Sequence, residues 1–373
     1  MEICVCVVAA AAFIFTVLWR VRGACGYGYW PGALGAFGAA LYCSVPPAVC
    51  GGALLSYSFI LICVAERRQE LPAARRAVLI TGCDSGFGLA LAQQLSDTEL
   101  TVFAGVLDVN GPGAQQLRER RSENVQVLQL DVTDIAQIET AHRYICTQVA
   151  DTGLWALVNN AGVLYCPVDA ELLPLTTYRR CMEVNFLAAV KMCQVFLPLL
   201  RRSRGRIVNV SSMAGEVPMP MFAAYGASKA ALSVFSKVMR MELSAWGVKV
   251  ALIQPAGFRT SIFGNSDDVA RYRDEILNAA SSEAREDYGK AYISSLPSSL
   301  SQMSQQSAED LSPVLDAMRH ALLSVHPRPV YTPGQMGWLL PFLHRCCPAS
   351  VFDAIITSIV KHTNCEPAGL RRS

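Results

Sequence analysis

Between Ala77 and Gln254 the chain alternates short apolar runs with segments of helical length, and this alternation constrains the fold more than any other feature. The runs are AVLIT (77–81), TVFAGV (101–106), VQVLQL (125–130), LWALVN (154–159), RIVNVS (206–211) and VKVALIQ (248–254), with PVYT (329–332) as a late addition. Most lack the strict polar–apolar alternation of a strand with one wet face, so both faces are expected to be covered. The gaps are too long for hairpins and long enough for crossover helices. That predicts βαβ units, a parallel sheet and right-handed connections. Helices are expected near 134–150, 176–202 and 223–245, where length and apolar spacing agree. The fold class is α/β, a doubly wound parallel sheet.

The first run leads straight into Thr81-Gly82-Cys83-Asp84-Ser85-Gly86-Phe87-Gly88 and then a helical pattern. Glycines are needed where backbone turns tightly against a ligand, and the helix N-terminus that follows presents free N–H groups. After a first strand such a turn suits the pyrophosphate of a dinucleotide, which makes the sheet Rossmann-type. Gly82, Asp84, Ser85, Gly86, Phe87 and Gly88 are the cofactor-binding candidates. Asp108 follows the second run, 20 residues after Gly88, where a carboxylate can accept from the adenosine ribose hydroxyls. No Arg or Lys occurs between Thr101 and Gln116, so a ribose 2′-phosphate would meet carboxylates and no cation. NAD is therefore expected rather than NADP. Asp84 has a second reading, as a cap for the helix behind it.

In AAYGASKAA (223–231), Tyr225 and Lys229 stand four positions apart and so share one helical face. A phenol titrates near pH 10, and bringing it near 7 takes roughly 4 kcal/mol of preferential stabilisation of the phenolate. A neighbouring ammonium and a positively charged oxidised nicotinamide are suitable sources. Tyr225 is then a candidate base for an alcohol hydroxyl whose carbon gives up hydride. Tyr-x-x-x-Lys alone is common; the glycine turn upstream gives it weight.

Residues 3–19 and Ala24–Ala65 contain no charged side chain, and 52% of the chain is hydrophobic against 17% charged. A spanning helix needs about 20 residues, so the second stretch can cross twice if Pro46-Pro47 mark a reversal. Three spans put Arg20, Arg22, Arg67 and Arg68 on one side, which predicts an anchor over 1–72 and a cytoplasmic body. The alternative, a cleaved signal peptide, would call for a basic start where this chain has Met-Glu. Fourteen cysteines without a CxxC pair and five histidines without ligand spacing predict buried thiols in a reduced compartment and no metal site. A net charge of +2 offers nothing to nucleic acid.

The catalytic body is expected over 73–335. Within it, 261–328 break the rhythm with a charged helical stretch and the serine-rich SSLPSSLSQMSQQS. This segment reads either as a surface insertion with a flexible loop or as a substrate lid beyond the carboxyl ends of the strands. The tail, 336–373, is apolar or amphipathic and broken by Pro341, Pro348 and Asp353, and reads as lying on a membrane or lining the lid.

Taken with Asn159-Asn160-Ala161-Gly162, Asn185, Ser211-Ser212 and the tyrosine–lysine pair in that order, the pattern over about 75–260 resembles the short-chain dehydrogenase/reductase family. The resemblance implies cofactor contacts from Asp131, Val132, Asn159, Ala161, Gly162, Pro255, Gly257, Phe258 and Thr260, besides the turn, Tyr225 and Lys229. It also implies a catalytic tetrad of Asn185, Ser212, Tyr225 and Lys229. The serine thirteen residues before the tyrosine is Ser212 rather than Ser211. Substrate would meet Ser212, Val163 and Tyr225. One departure is Pro255-Ala256-Gly257, where the family usually has Pro-Gly, so that Ala256 adds a Cβ near the expected nicotinamide. FAGVLDVNGPGA (103–114), RIVNVSSMAGEVP (206–218) and RAVLITGCDSGFG (76–88) look like the 17β- and 11β-hydroxysteroid dehydrogenase branches, and retinol dehydrogenases are also similar. Those branches imply a steroid alcohol substrate, NAD, a lipid bilayer partner at the endoplasmic reticulum and a homodimer formed through the long helices.

Overall fold

The structure, a computed structural model, describes residues 70–120, 122–264, 266–296, 298–359 and 366–371. The expected membrane spans therefore lie outside the described residues. Two compact units divide the chain. In the smaller, Glu70 and Ser324 make an isolated antiparallel bridge. The larger, Pro72–Leu323 with Pro327–Ser373, carries all that follows.

Among the described residues seven strands form one sheet: β1 (Ala77–Ile80), β2 (Thr101–Val106), β3 (Val125–Gln129), β4 (Ala156–Asn159), β5 (Arg206–Val210), β6 (Lys249–Ile253) and β7 (Val330–Tyr331). Their order is β3-β2-β1-β4-β5-β6-β7 and every pairing is parallel. Each expected run became a strand, and the residues trimmed from the ends of β1 and β5, Thr81 and Ser211, are buried at the carboxyl end of the sheet. The chain order reverses between β1 and β4, which opens that crevice.

Side-chain alternation explains why both sets of alternate positions in the central runs are largely apolar. Val78 and Ile80 pack with Val102 and Ala104 in one core, while Leu79 packs with Phe103 and Leu157 in the other, all fully buried. Helices α1 (Gly86–Leu95) and α2 (Pro112–Glu119) cover the first core. The second is covered by α3 (Ile135–Gln148), whose first turn is capped by Asp134 accepting from Ala136 N and Gln137 N, and by the following long rod. That rod comprises α4 (Leu175–Met182), a π-turn at Glu183–Leu187 and α5 (Ala188–Ser203). By length and composition Leu175–Ser203 is the only described run able to cross a membrane, but Met192, Phe196 and Leu200 are buried against the sheet. Helix α6 (Ala223–Glu242) lies beside it.

The serine-rich segment is helical. Residues 266–323 form α7 (Ser266–Ala279), α8 (Ser282–Tyr288), α9 (Lys290–Ser295), α10 (Ser298–Gln306) and α11 (Ser312–Leu323). Serine favours turns because its hydroxyl competes for backbone, yet here the hydroxyls bond back along the chain, Ser299 Oγ to Leu296 O at 2.5 Å and Ser307 Oγ to Met303 O at 2.7 Å. Burial of Ile293, Leu296 and Leu300 against Cys166, Val168 and Leu172 outweighs the local preference. Two further α-helices are described beyond the sheet, α12 (Leu339–Cys346) and α13 (Ala349–Ile359), and then a 3-10 turn at Ala368–Arg371.

Candidate active site

The cofactor turn is built almost entirely from backbone. Gly82 (φ +68) and Gly86 (φ +57) adopt the left-handed conformation that side chains resist. A Cβ on Gly88 would fall 2.2 Å from Gly82 O, so only glycine lets α1 start this close to the turn. Thr81 Oγ1 accepts from the N–H groups of Asn160 and Ala161, both at 3.0 Å, and Asn160 Nδ2 donates to Thr81 O and Gly82 O at 2.8 and 3.1 Å. A Cβ on Gly82 would lie 2.9 Å from Ala161 Cα. The crevice thus holds a backbone cradle with no room for side chains, which fits a dinucleotide pyrophosphate at the start of α1.

Several expected cofactor contacts do other work. Asn159 points into the sheet: it is buried, and its Nδ2 donates to Asn209 Oδ1 at 2.8 Å and meets Cys193 Sγ at 3.4 Å. Asn160 is the amide that fastens the turn, and strand alternation, which sends adjacent side chains to opposite sides, was the signal that distinguishes the pair. Asp84 neither caps α1 nor reaches outward; its carboxylate accepts from Leu107 N at 2.8 Å and Asp108 N at 3.2 Å, stapling the turn to the end of β2. Ser85 hydrogen-bonds to Ser261 across the turn. The rings of Phe87 and Phe258 pack edge-on at 5.8 Å, which leaves backbone for a ligand. Thr260 comes over the turn, 3.3 Å from where a Gly86 Cβ would sit. Pro255 O and Gly257 O accept from Met213 N and Ala308 N. Ala256 directs its Cβ toward Gly334 and the C-terminal helices, so it does not crowd the cradle.

Asp108 is exposed where the ribose is expected, with Oδ1 accepting from Asn110 N at 2.9 Å. Arg118, beyond the window free of basic residues, folds back so that Nη1 donates to Val109 O at 2.5 Å. Two turns of α2 bring this cation to the loop, which a linear count of residues misses. Asp131 Oδ1 accepts from the backbone and hydroxyl of Thr133 at 2.8 and 2.7 Å, beside buried Val132.

At the end of β5 the same alternation separates two serines. Ser211 is buried and bonds to Lys229 O and Ser233 Oγ, both at 2.9 Å. Ser212 faces the crevice at the head of a 3-10 turn; its Oγ accepts from Ala214 N at 3.2 Å and hydrogen-bonds to the Tyr225 phenol. Helix α6 presents Tyr225 and, one turn on, Lys229, whose Nζ lies 5.8 Å from the tyrosine ring centroid and donates to Val210 O at 2.9 Å. Asn185 sits within the π-turn, where Oδ1 accepts from Val163 N at 2.8 Å and Nδ2 donates to Val163 O and Ser228 Oγ, each at 3.0 Å. A Cβ on Gly162 would lie 3.2 Å from both Asn185 Oδ1 and Lys229 Nζ, so glycine there lets the two groups approach.

Comparison with known proteins identifies the family. The short chain dehydrogenase family pattern matches residues 76–270. The chain is 46% identical over 339 residues to estradiol 17-beta-dehydrogenase 2 of Rattus norvegicus, covering 90% of this chain and 87% of that one. The chain belongs to the short-chain dehydrogenase family. It is also 46% identical over 289 residues to 11-beta-hydroxysteroid dehydrogenase type 2 of Ovis aries, across 78% of this chain and 68% of the relative. A crystal structure of a short-chain dehydrogenase from Streptomyces avermitilis superposes with a TM-score of 0.59 at 24% identity, covering 76% and 95% of the two chains, and shares the fold.

In this short-chain dehydrogenase, burial opposes both charges of the pair. The Tyr225 phenol is pushed up to about 12 by burial, partly offset by its hydrogen bond from Ser212, although the residue as a whole keeps some surface. Burial brings the Lys229 ammonium down to about 8 and raises the neighbouring Cys181 thiol to about 11. Without further positive charge the pair rests with a neutral phenol. Tyr225 borders a narrow pocket with Leu164, Tyr165, Cys166, Met221 and Phe222. Val163 gives its backbone to Asn185, and its neighbours form the wall.

Proposed function

We propose that this oxidoreductase uses NAD to oxidise the 17β-hydroxyl of oestradiol and testosterone to the ketone. The observation that carries the reading is the convergence of Ser212, Tyr225, Lys229 and Asn185 beside a glycine cradle and an apolar pocket. The substrate class is supported by the names of the relatives that span most of the chain. A nicotinamide dinucleotide, when bound, supplies the hydride acceptor and a positively charged ring. Gly82, Gly86 and Gly88 would hold its pyrophosphate, Asp108 the adenosine ribose, and Thr260 and Lys229 the nicotinamide end.

The chain's own residues handle the proton. Ser212 accepts from Ala214 N, and its single hydroxyl hydrogen, given to the Tyr225 phenol in the free protein, would pass to a substrate oxygen held beside Tyr225. Tyr225 Oη takes the proton of the substrate hydroxyl. From about 12, reaching neutral pH takes about 7 kcal/mol of phenolate stabilisation, more than an exposed tyrosine would require. Lys229, still mostly charged at pH 7, provides part of it at 5.8 Å from the ring, and the charge of a bound oxidised cofactor adds to it. Asn185 holds the loop at Val163 and supports a proton path behind Lys229.

Of the segment 261–328 expected as a lid, α11 instead packs on the first core through Val314, Met318 and Leu322. Around the catalytic centre we read α7–α10 as the substrate lid and the apolar N-terminal segment as the anchor in the endoplasmic reticulum membrane. The tail beyond 336 is read as lid or membrane-facing surface, and a homodimer as forming through the outer face of α6. That face exposes Val234, Val238 and Met241 in one stripe, at 60%, 39% and 63%. The test is initial rates on membranes expressing the full chain, with NAD or NADP and oestradiol, testosterone, cortisol or all-trans retinol. Oxidation of the first two with NAD is expected. Preference for cortisol or retinol would move the substrate and keep the chemistry, whereas preference for NADP would make Arg118, rather than Asp108, the decisive group on the loop.

A further inference from the structure

The C-terminal helices lie outside the residues 76–270 covered by the family pattern, yet they close on the machinery. Leu340 on α12 and Phe352 and Ile356 on α13 share one buried cluster with Met213 and Val217. Met213 is the residue after Ser212, and its N–H donates to Pro255 O at 2.9 Å. From the other side, Ala256 packs on the same cluster, donates its N–H to Pro333 O at 3.0 Å and turns its Cβ toward Gly334. Gly334 has φ +104, and a Cβ there would meet Phe258 at 2.8 Å and Ala256 Cβ at 3.0 Å, so the approach of this segment is a close one. Arg345 completes the contact: its Nε donates to Glu216 Oε1 at 2.6 Å and its Nη2 makes a second bond to the same oxygen. The Glu216 side chain is only 11% exposed, so removing its partner strands a largely buried carboxylate.

The geometry points to α12 and α13 as a clamp that holds the segment following Ser212 and the Pro255–Thr260 loop at a fixed separation, with Glu216, Arg345 and Phe352 as positioning residues. None of them touches the reacting atoms. Ser212 and the nicotinamide end of the cradle belong to different loops, and the buried cluster is where those loops meet the tail. The turnover arm of its test rests on the dehydrogenase reading above; the binding arm does not.

The experiment uses the full chain in detergent-solubilised membranes. Arg345→Glu, Glu216→Arg, the double reversal and Phe352→Ala are compared for kcat, for KM of whichever alcohol the wild type oxidises, for NADH affinity by fluorescence titration and for Tm. Each single reversal is expected to lower kcat/KM about three- to tenfold and Tm by a few degrees, because it sets like charges together at the largely buried Glu216 position, and the double reversal to recover most of both. Phe352→Ala is expected to weaken NADH and alcohol together, because one cluster supports both loops. Wild-type kinetics and NADH affinity in all the variants would overturn the clamp. So would losses that follow Tm and are not rescued by the double reversal, since those describe general support. If the wild type oxidised none of the alcohols, the functional reading would fall, and the NADH titrations would still decide the clamp.

Discussion

The cofactor turn and the catalytic patch lie side by side at the carboxyl ends of the strands, but they are made of different materials. The turn is backbone, shaped by Gly82, Gly86 and Gly88 and fastened by Thr81 and Asn160. The patch is side chain: Ser212, Tyr225 and Lys229 depend on which way a strand end or a helix face points them. A backbone site is broken by adding atoms and a side-chain site by removing them. The two should therefore fail differently, in binding and in turnover respectively.

The largest effect is expected at the patch. Tyr225→Phe should cut turnover about 10²–10⁴-fold while NADH titration stays within about twofold of wild type. If turnover persisted, the base would have to be elsewhere. Gly88→Ala should do the reverse, loosening NADH about a hundredfold, because its Cβ would fall 2.2 Å from Gly82 O. Unchanged affinity would show that the turn tolerates a side chain and that the contrast is false.

The paired asparagines sharpen the comparison within two residues. Asn160→Ala should weaken NADH about tenfold by freeing the carbonyls of Thr81 and Gly82. Asn159→Ala should leave affinity alone and cost about 1–3 kcal/mol of stability, measured by urea unfolding, since it leaves the buried Asn209 Oδ1 without the Asn159 donor. Exchange of the two phenotypes would reverse their assignment.

The smallest effect concerns Lys229 in the cofactor-free protein. Burial holds its ammonium near pH 8, against 10.5 for the ordinary group. Between those values the unfolded chain binds the proton and the folded chain does not, so this residue makes stability rise with pH across that window. Lys229→Met should flatten that rise, seen as a loss of a few degrees in the Tm gain from pH 8 to pH 10. An unchanged slope would mean that the ammonium is better solvated than its burial implies.

These contrasts also explain what could be read in advance. The strands were legible because β1 and most of β4–β6 are buried on both faces and so are mostly apolar, with Asn159, Arg206 and Asn209 as buried polar exceptions and Lys249 exposed at the start of β6. The glycines were legible because their conformations and contacts admit nothing else. The side-chain partners of Asn159 and Asp84 were not legible because residue type and spacing do not say which side of a strand end a polar group takes, nor which backbone N–H reaches it first. The serine-rich α10 escaped local rules because its stability comes from Leu300 and its neighbours packing on Cys166 and Val168, residues far away in sequence. Arg118 escaped for the converse reason, a helix folding a distant cation back onto a loop.

The π-turn at Glu183–Leu187 has a consequence for the rod that contains it. Each residue of an α-helix advances the face by about 100°, so a single extra residue rotates everything beyond it by that amount. Here it works as a phase shifter between two registers of one helix. Upstream, Thr177 and Cys181 keep step with the pocket, and downstream Met192, Phe196 and Leu200 keep step with the sheet. Asn185 occupies the seam where the two registers meet. A chain shortened by one residue at this point would have to give up either the packed core or the placed asparagine.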